Sequence, residues 1–97
     1  MPAYFIAIVH ETDEEGHAAY SARVPDTISQ YGGHYLVRGG DPETLEDSGP
    51  RSQRTIVLEF PDRASIMRWY QSPEYANIKG IRQAHSRASV TVVDGIS

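Results

Sequence analysis

The segment Tyr4-Phe5-Ile6-Ala7-Ile8-Val9 is apolar or aromatic at every position. Side chains of a β-strand point alternately to its two faces, so a run of this kind predicts a strand that is covered on both faces. We take it as the first strand of the fold. A sheet built around it has two surfaces that must be kept from water.

An amphipathic helix is predicted next, from about residue 12 or 13 to residue 31. Its start combines a capping side chain with several carboxylates, which suit the positive end of a helix. The predicted inward positions fall within an arc of about 80° on the helical wheel; they are His17, Tyr20, Val24, Ile28 and Tyr31. Pro25 predicts a kink or short break near Val24, and Gly32-Gly33 predict the end of the helix.

Three further strands are predicted at His34 to Arg38, Thr55 to Phe60 and Ser89 to Val93. The intervening residues 39 to 53 are polar, contain Asp41-Pro42 and Gly49-Pro50, and have no periodicity. This composition predicts an exposed loop, and a loop of that length is often mobile or a lid over a site.

A second helix is predicted in two parts between the third and last strands. Pro61-Asp62 end the strand and begin the first part, and Ser72 with Pro73 supply a cap and first turn for the second part. The core-facing positions have helical spacing; they are Ile66, Trp69, Tyr70, Tyr75, Ile78 and Ile81.

The element order is therefore β-α-β-β-α-β within one domain, residues 1–97. This order predicts an α+β fold, the ferredoxin-like plait, with a four-stranded antiparallel sheet and helices on one of its faces. Val57, Thr91 and Val93 add to the face that the helices do not reach. We expect a second copy of the chain to cover that face, since a soluble monomer seldom exposes a large apolar patch.

Three spaced motifs carry a resemblance to a known family: YGGHYLVRGG (Tyr31 to Gly40), LEFP (Leu58 to Pro61) and WYQSPEY (Trp69 to Tyr75). Over nearly the whole chain they resemble the family catalogued as domain of unknown function 1330, within the dimeric α/β-barrel superfamily. The resemblance implies a homodimer closed by its sheets and a cleft between sheet and helices in each subunit. It implies no particular reaction, because relatives include cofactor-free oxygenases, isomerases and domains with no assigned activity.

Composition argues against several classes of partner. Nine basic and 13 acidic residues give a formal charge of −4, which disfavours nucleic acid and anionic membrane surfaces. Cysteine is absent, and no start resembling a secretion signal or long apolar run is present, so we expect a cytoplasmic protein. The four histidines lack metal-binding spacing; we predict neither a metal nor a cofactor.

A set of polar and aromatic side chains forms the candidate site. By strict alternation His34, Leu36 and Arg38 share one face of the second strand, where Arg38 could bind a negative charge and His34 could move a proton. These two are the candidate catalytic residues. The candidate ligand-binding residues come from a strand, the second helix and, for His85, the predicted connection after that helix; they are Glu59, Trp69, Tyr70, Tyr75, Arg82 and His85.

Two main hypotheses follow for function, and the question of catalysis stays open between them. In the first, a homodimeric domain binds a small organic acid or aromatic metabolite in its sheet–helix cleft. In the second, it is a cofactor-free isomerase or oxygenase-like enzyme that uses His34 or His85 as its acid-base group. A structural or regulatory protein-interaction domain is a third alternative.

Overall fold

The described part of the structure, a computed structural model, comprises residues 1–11, 14–46 and 54–96. Its elements are β1 (Ala3–Glu11), α1 (Glu14–Gln30), β2 (His34–Gly39), β3 (Arg54–Phe60), α2 (Arg63–Tyr70), α3 (Pro73–His85) and β4 (Ser86–Asp94). The β-α-β-β-α-β order with a divided second helix is confirmed. The predicted helix cap at residue 12 or 13, the side chain of His17 and loop residues 47–53 lie outside the described residues.

The first strand occupies the interior of a four-stranded antiparallel sheet with the order β2-β3-β1-β4. Its odd-numbered residues from Ala3 to Val9 face the helices and are at most 5% exposed. Tyr4, Ile6 and Ile8 point to the opposite face, which no helix covers, and Ile8 is 42% exposed. The apolar run therefore places apolar side chains on both sides of the sheet, as its sequence predicts. We call the side that the described helices do not cover the open face.

The core lies between the sheet and the three helices and is centred on Trp69, which has no exposed surface. The edge of the Phe5 ring meets the Trp69 ring with centroids 5.1 Å apart, and the Tyr75 ring lies 4.3 Å away. The indole Nε1 donates a hydrogen bond of 3.0 Å to Thr27 Oγ1, so its one polar atom is satisfied within the core.

Two helix starts have capping side chains: Ser72, as the sequence predicts, and Asp62, which was predicted to begin its helix. The Asp62 carboxylate accepts a 2.7 Å hydrogen bond from the Ser65 amide at the start of α2. Ser72 accepts a 3.1 Å hydrogen bond from the Tyr75 amide at the start of α3. These side chains satisfy amide hydrogens that have no partner within the helix.

The predicted interruption of the first helix near Val24 does not occur. Pro25 lies inside α1, which continues as one helix to Gln30. Proline has no amide hydrogen, so it cannot donate to the Ser21 carbonyl one turn earlier. Arg38 Nη2 donates to that carbonyl instead, at 2.6 Å, so a side chain from β2 replaces the missing helix donor.

Strand β2 contains an irregularity that the sequence analysis did not predict. Its register against β3 shifts between Tyr35 and Val37, so that one extra residue lies between them. Tyr35 then pairs with Leu58 and Arg38 pairs with Ile56, both on the helix-facing side of β3. This β-bulge breaks strict alternation, and it places Arg38 on the same face as Tyr35.

The predicted shared face of His34 and Arg38 is therefore wrong. His34 pairs with Glu59 on the open face, and Leu36, the extra residue, is 51% exposed. Alternation fails here because the bulge uses one residue without a partner on the neighbouring strand.

The last strand is longer than predicted and begins at Ser86, directly after His85 ends α3. The expectation that His85 lies in a connection is therefore wrong. The reason is that β1 extends to Glu11, which pairs with Ser86 and so continues the ladder to the end of α3. Across the described ranges, no helix has the length and apolar character needed to span a lipid bilayer.

Candidate ligand-binding cleft

A cleft opens between the helix-facing side of the sheet and helices α1 and α3. It encloses about 530 Å³ of empty space, part of which is open to solvent. Its lining includes residues of all four strands and all three helices. Nine of these residues are apolar and form most of the wall; they are Phe5, Ala7, Val9, Val24, Ile28, Ile56, Leu58, Trp69 and Val90.

Three arginines face this apolar space: Arg38 from β2, Arg54 from β3 and Arg82 from α3. None of the described lining residues is an aspartate or a glutamate. The chain as a whole has a net charge of −4, so this local excess of positive charge runs against the overall composition. An apolar cleft lined by cations attracts small anions with an apolar body.

Arg82 is the most deeply placed of the three, with only 9% of its surface exposed. Its Nε has no hydrogen-bond partner among the described residues. Burial acts to lower the pKa of Arg82, but nearby Tyr75 and Tyr20 outweigh it and the pKa is raised overall, so the guanidinium keeps its charge. A buried donor without an acceptor is costly to the fold and indicates a missing partner.

A pair of tyrosines lies beside this arginine. The hydroxyl oxygens of Tyr20 and Tyr75 are 2.9 Å apart and share a hydrogen bond. Burial raises the pKa of Tyr20, and the neighbouring Tyr75 raises it further. Tyr20 therefore stays protonated near neutral pH, where it can donate or accept a hydrogen bond but cannot act as a base.

Arg38 and Tyr35 form the mouth of the cleft at the edge of the sheet. The Arg38 guanidinium lies 4.9 Å from the centre of the Tyr35 ring and donates to the Ser21 carbonyl. Burial raises the pKa of Tyr35, although the positive charges of Arg38 and Arg54 act to lower it. Arg54 precedes Ile56, the partner of Arg38, by two positions on the neighbouring strand, so both cations line the same end of the cleft.

Two of the residues predicted for the site lie outside the cleft, on the open face. His34 Nε2 is 3.4 Å from Glu59 Oε1, and neither side chain lines the cleft. The Glu59 carboxylate also approaches Tyr4, whose pKa is raised by partial burial and by that negative charge. These residues form a polar cluster on the surface that the helices leave uncovered.

The other predicted residues either line the cleft or pack behind it. Trp69 and Arg82 line the cleft. Tyr70 and Tyr75 belong to the aromatic cluster behind it, with ring centroids 5.5 Å apart. His85 packs against α1, where a Cβ on Gly16 would overlap the imidazole, and it does not line the cleft.

Sequence reasoning missed Arg54, Tyr20 and Tyr35 as cleft residues. Arg54 precedes Ile56 by two positions in β3, so alternation from the predicted strand could have placed it on the helix-facing side. Tyr20 was predicted to point inward, but as part of the core and not of a site. The sequence does not predict that Tyr35 lines the cleft, because the β-bulge determines which face of β2 the residues around it occupy.

Metal ligation receives no support from the described part of the chain. There, no three His, Asp or Glu side chains are grouped so that they could hold a metal ion.

Solved structures with the same fold come from several organisms. A protein of unknown function from Rhodopseudomonas palustris is 18% identical with a TM-score of 0.80, covering 99% of this chain and 83% of that one. A dimeric ferredoxin-like protein of unknown function from Jannaschia sp. CCS1 is 11% identical with a TM-score of 0.74, covering 98% and 100%. SnoaB, a cofactor-independent oxygenase from Streptomyces nogalater, is 13% identical with a TM-score of 0.63, covering 99% and 94%.

At these identities the likeness establishes the ferredoxin-like fold alone. None of the curated proteins compared with the chain matches it. Residues 2–96 match the family described as Domain of unknown function (DUF1330), which is nearly the full length of 97 residues. The chain therefore belongs to the DUF1330 family.

Proposed function

We propose that this protein binds a small organic acid, with an aliphatic or aromatic body, in the cleft between its sheet and helices. The observation that carries the proposal is the buried Arg82 guanidinium, whose Nε has no partner in the described part of the chain and whose side chain lines the cleft. A ligand carboxylate would supply the missing acceptor.

The physical chemistry of the cleft favours an anion over a neutral compound. A hydrogen bond between a guanidinium and a carboxylate is about twice as strong as one between neutral groups. Water is largely excluded around Arg82, which strengthens the attraction between opposite charges. Ile56 and Val90 line the cleft, are only half-buried, and provide apolar surface on which the body of the ligand can pack.

Calorimetric titration of the full-length protein with a panel of aliphatic and aromatic carboxylates tests this proposal. We expect at least one acid to bind, and Arg82→Met to raise its Kd by about tenfold or more, the equivalent of about 1.4 kcal/mol. Arg23→Met is the matched control, because Arg23 is exposed on α1 and does not line the cleft. Unchanged affinity in Arg82→Met, with its melting temperature intact, would contradict the proposal, as would failure of every acid in the panel.

The alternative function is a cofactor-free isomerase or oxygenase-like enzyme, which the fold shared with SnoaB allows. Such a reaction needs a group that moves a proton next to the substrate. His34 and His85, the predicted acid-base residues, do not line the cleft, and no described lining residue is a histidine, lysine or carboxylate. Binding without turnover is therefore the function that we favour, and conversion of a bound acid into product in air would reverse that preference.

We also propose that the open face packs against the same face of a second copy. The face carries the apolar side chains of Ile6, Ile8, Val57 and Val93, and the helices cannot cover it. The Jannaschia protein is dimeric, which supports the same assembly here. Packing of two sheets would remove these side chains from water.

A further inference from the structure

We infer that the ligand of the cleft carries two acidic groups joined by an apolar body. This inference builds on the proposed function and narrows it from organic acids to dicarboxylates or acids of equivalent charge. It comes from the arrangement of the arginines at two positions. The inner position is Arg82 on α3, and the outer position is Arg38 with Arg54 at the sheet edge.

The inner position is built to hold one acidic group. Arg82 is 91% buried and lines the cleft, and its Nε has no hydrogen-bond partner among the described residues. The hydroxyls of Tyr20 and Tyr75 lie next to the guanidinium and can add hydrogen bonds to a bound oxygen. One carboxylate at this position would satisfy the orphan donor.

The outer position has a cation whose charge no described carboxylate neutralises. Arg38 forms no ion pair with any described residue, and its contacts are the Ser21 carbonyl and the Tyr35 ring. A backbone carbonyl is neutral, so this contact holds the side chain in place without cancelling its charge. A carboxylate would be a stronger partner than the carbonyl, and Arg38 could turn to it without leaving the mouth of the cleft.

The two positions are separated by apolar and aromatic surface. Arg38 belongs to the edge strand β2, whereas Arg82 belongs to α3, which packs on α1 and β4 at the other side of the sheet. The strands between these two elements, β3 and β1, line the cleft with the apolar residues Ile56, Leu58 and Ala7, and the Tyr35 ring lies 4.9 Å from the Arg38 guanidinium. Neighbouring strands are about 4.8 Å apart, so a ligand that reaches both positions must be extended.

A comparison of matched ligands separates this inference from the proposed function. The full-length protein is titrated with an aromatic monocarboxylate, with the dicarboxylate of the same ring, and with linear dicarboxylates of increasing chain length. We expect the best dicarboxylate to bind at least about tenfold more tightly than the monocarboxylate. We also expect an optimum chain length, because one spacing fits the distance between the two positions.

Variants at the two positions have different expected effects. Arg38→Met removes the advantage of the dicarboxylate and leaves the Kd of the monocarboxylate within about twofold, whereas Arg82→Met weakens both. Arg38→Lys keeps a charge and is expected to retain part of the advantage; it also provides a second variant if Arg38→Met unfolds. Arg23→Met is the control for a general loss of positive charge.

The outcomes are distinguishable. If the monocarboxylate binds as tightly as its dicarboxylate, with affinity that depends on Arg82, the two-position inference is wrong and the proposed function stands. If Arg38→Met weakens both ligands equally, the inference is also wrong. If no acid of either kind binds, both proposals fail.

Discussion

Pro25 connects the backbone of α1 to the chemistry of the cleft mouth. A proline inside a helix removes one amide donor, and here the carbonyl that it leaves, that of Ser21, accepts from Arg38. From the sequence alone Pro25 predicts an interruption, because nothing in the spacing indicates that an arginine 13 positions later reaches back to the helix. The hydrogen bond from Arg38 to the Ser21 carbonyl therefore explains both why the helix continues past Pro25 and where the Arg38 side chain is held.

A double-mutant cycle between Pro25→Ala and Arg38→Met tests this link. In the wild type, Arg38→Met should lower the free energy of unfolding by about 1 kcal/mol, the usual value of one hydrogen bond. In the Pro25→Ala background the restored amide donates to the Ser21 carbonyl, and the cost of Arg38→Met should fall close to zero. Urea denaturation of the four proteins measures the coupling. If Arg38→Met lowers the free energy of unfolding equally in both backgrounds, Arg38 does not compensate for the amide donor that Pro25 lacks.

At the element scale, the strands differ in how much of their orientation the sequence determines. In β3 the apolar residues Ile56, Leu58 and Phe60 recur at every second position up to the end of the strand, and the predicted facing is confirmed. In β2 the run Tyr35-Leu36-Val37 is apolar at three successive positions, so its pattern does not define which residue points inward. The face of Arg38 therefore depends on a bulge that composition does not reveal.

Deletion of Leu36 tests the bulge. Without this extra residue Val37 and Arg38 can keep their partners Val57 and Ile56 in a regular ladder. We expect the variant to fold and to keep the Arg38-dependent part of ligand affinity, as measured by circular dichroism and calorimetry. The matched control is insertion of one alanine between Val37 and Arg38, which rotates Arg38 towards the open face and should remove that contribution. Loss of the Arg38 contribution on deletion of Leu36 would show that the bulge has another role.

The starts of the divided helix are the part of the fold that short sequence motifs predicted best, since Ser72 is the predicted cap and α2 begins directly after Asp62, where a start was predicted. This prediction succeeds because a helix start depends only on the residues of its own first turn.

The contribution of Asp62 to stability depends on pH. Hydrogen bonds from the Ser65 hydroxyl and amide lower the pKa of Asp62 below its ordinary value of 3.8.

A lowered carboxyl pKa stabilises the folded state at pH values above 3.8, and this stabilisation is lost as pH falls through the lower folded pKa. We therefore expect the melting temperature of the wild type to fall more steeply below pH 3.8 than that of Asp62→Asn. Glu74→Gln, in the first turn of α3, is the control for loss of a carboxylate elsewhere. Identical pH profiles for wild type and Asp62→Asn would mean that the cap charge does not stabilise α2.

For the whole molecule, the same apolar run in β1 supports both the core and the proposed assembly. The order of elements and the covered face follow from periodicity, so the fold was predictable from the sequence. The cleft was predictable only in part: Trp69 and Arg82 were identified, whereas the grouping of three arginines depends on how distant strands and a helix converge. His34 and Glu59 were assigned to that site, yet they face the proposed dimer interface.

Ile8→Lys tests the proposed dimer. Ile8 lies on the open face and is 42% exposed in one chain, so a lysine there is tolerated by a monomer but places a charge within a packed pair of sheets. We expect the wild type to sediment at twice the mass of one chain and the variant at that of one chain. Met67→Lys, at an equally exposed position on α2, should leave the dimer intact. A monomeric wild type at high concentration would contradict the proposal.

The central claim is that Arg82 receives the acidic group of a ligand. Nitrogen-15 NMR of the arginine side chains observes the Nε of Arg82 directly, with Arg82→Lys used to assign its resonance. On titration with the tightest-binding carboxylate, we expect this resonance to shift and saturate with the calorimetric Kd, since its Nε has no acceptor among the described residues and gains one from the ligand. A resonance that stays in place while the acid binds would contradict the account.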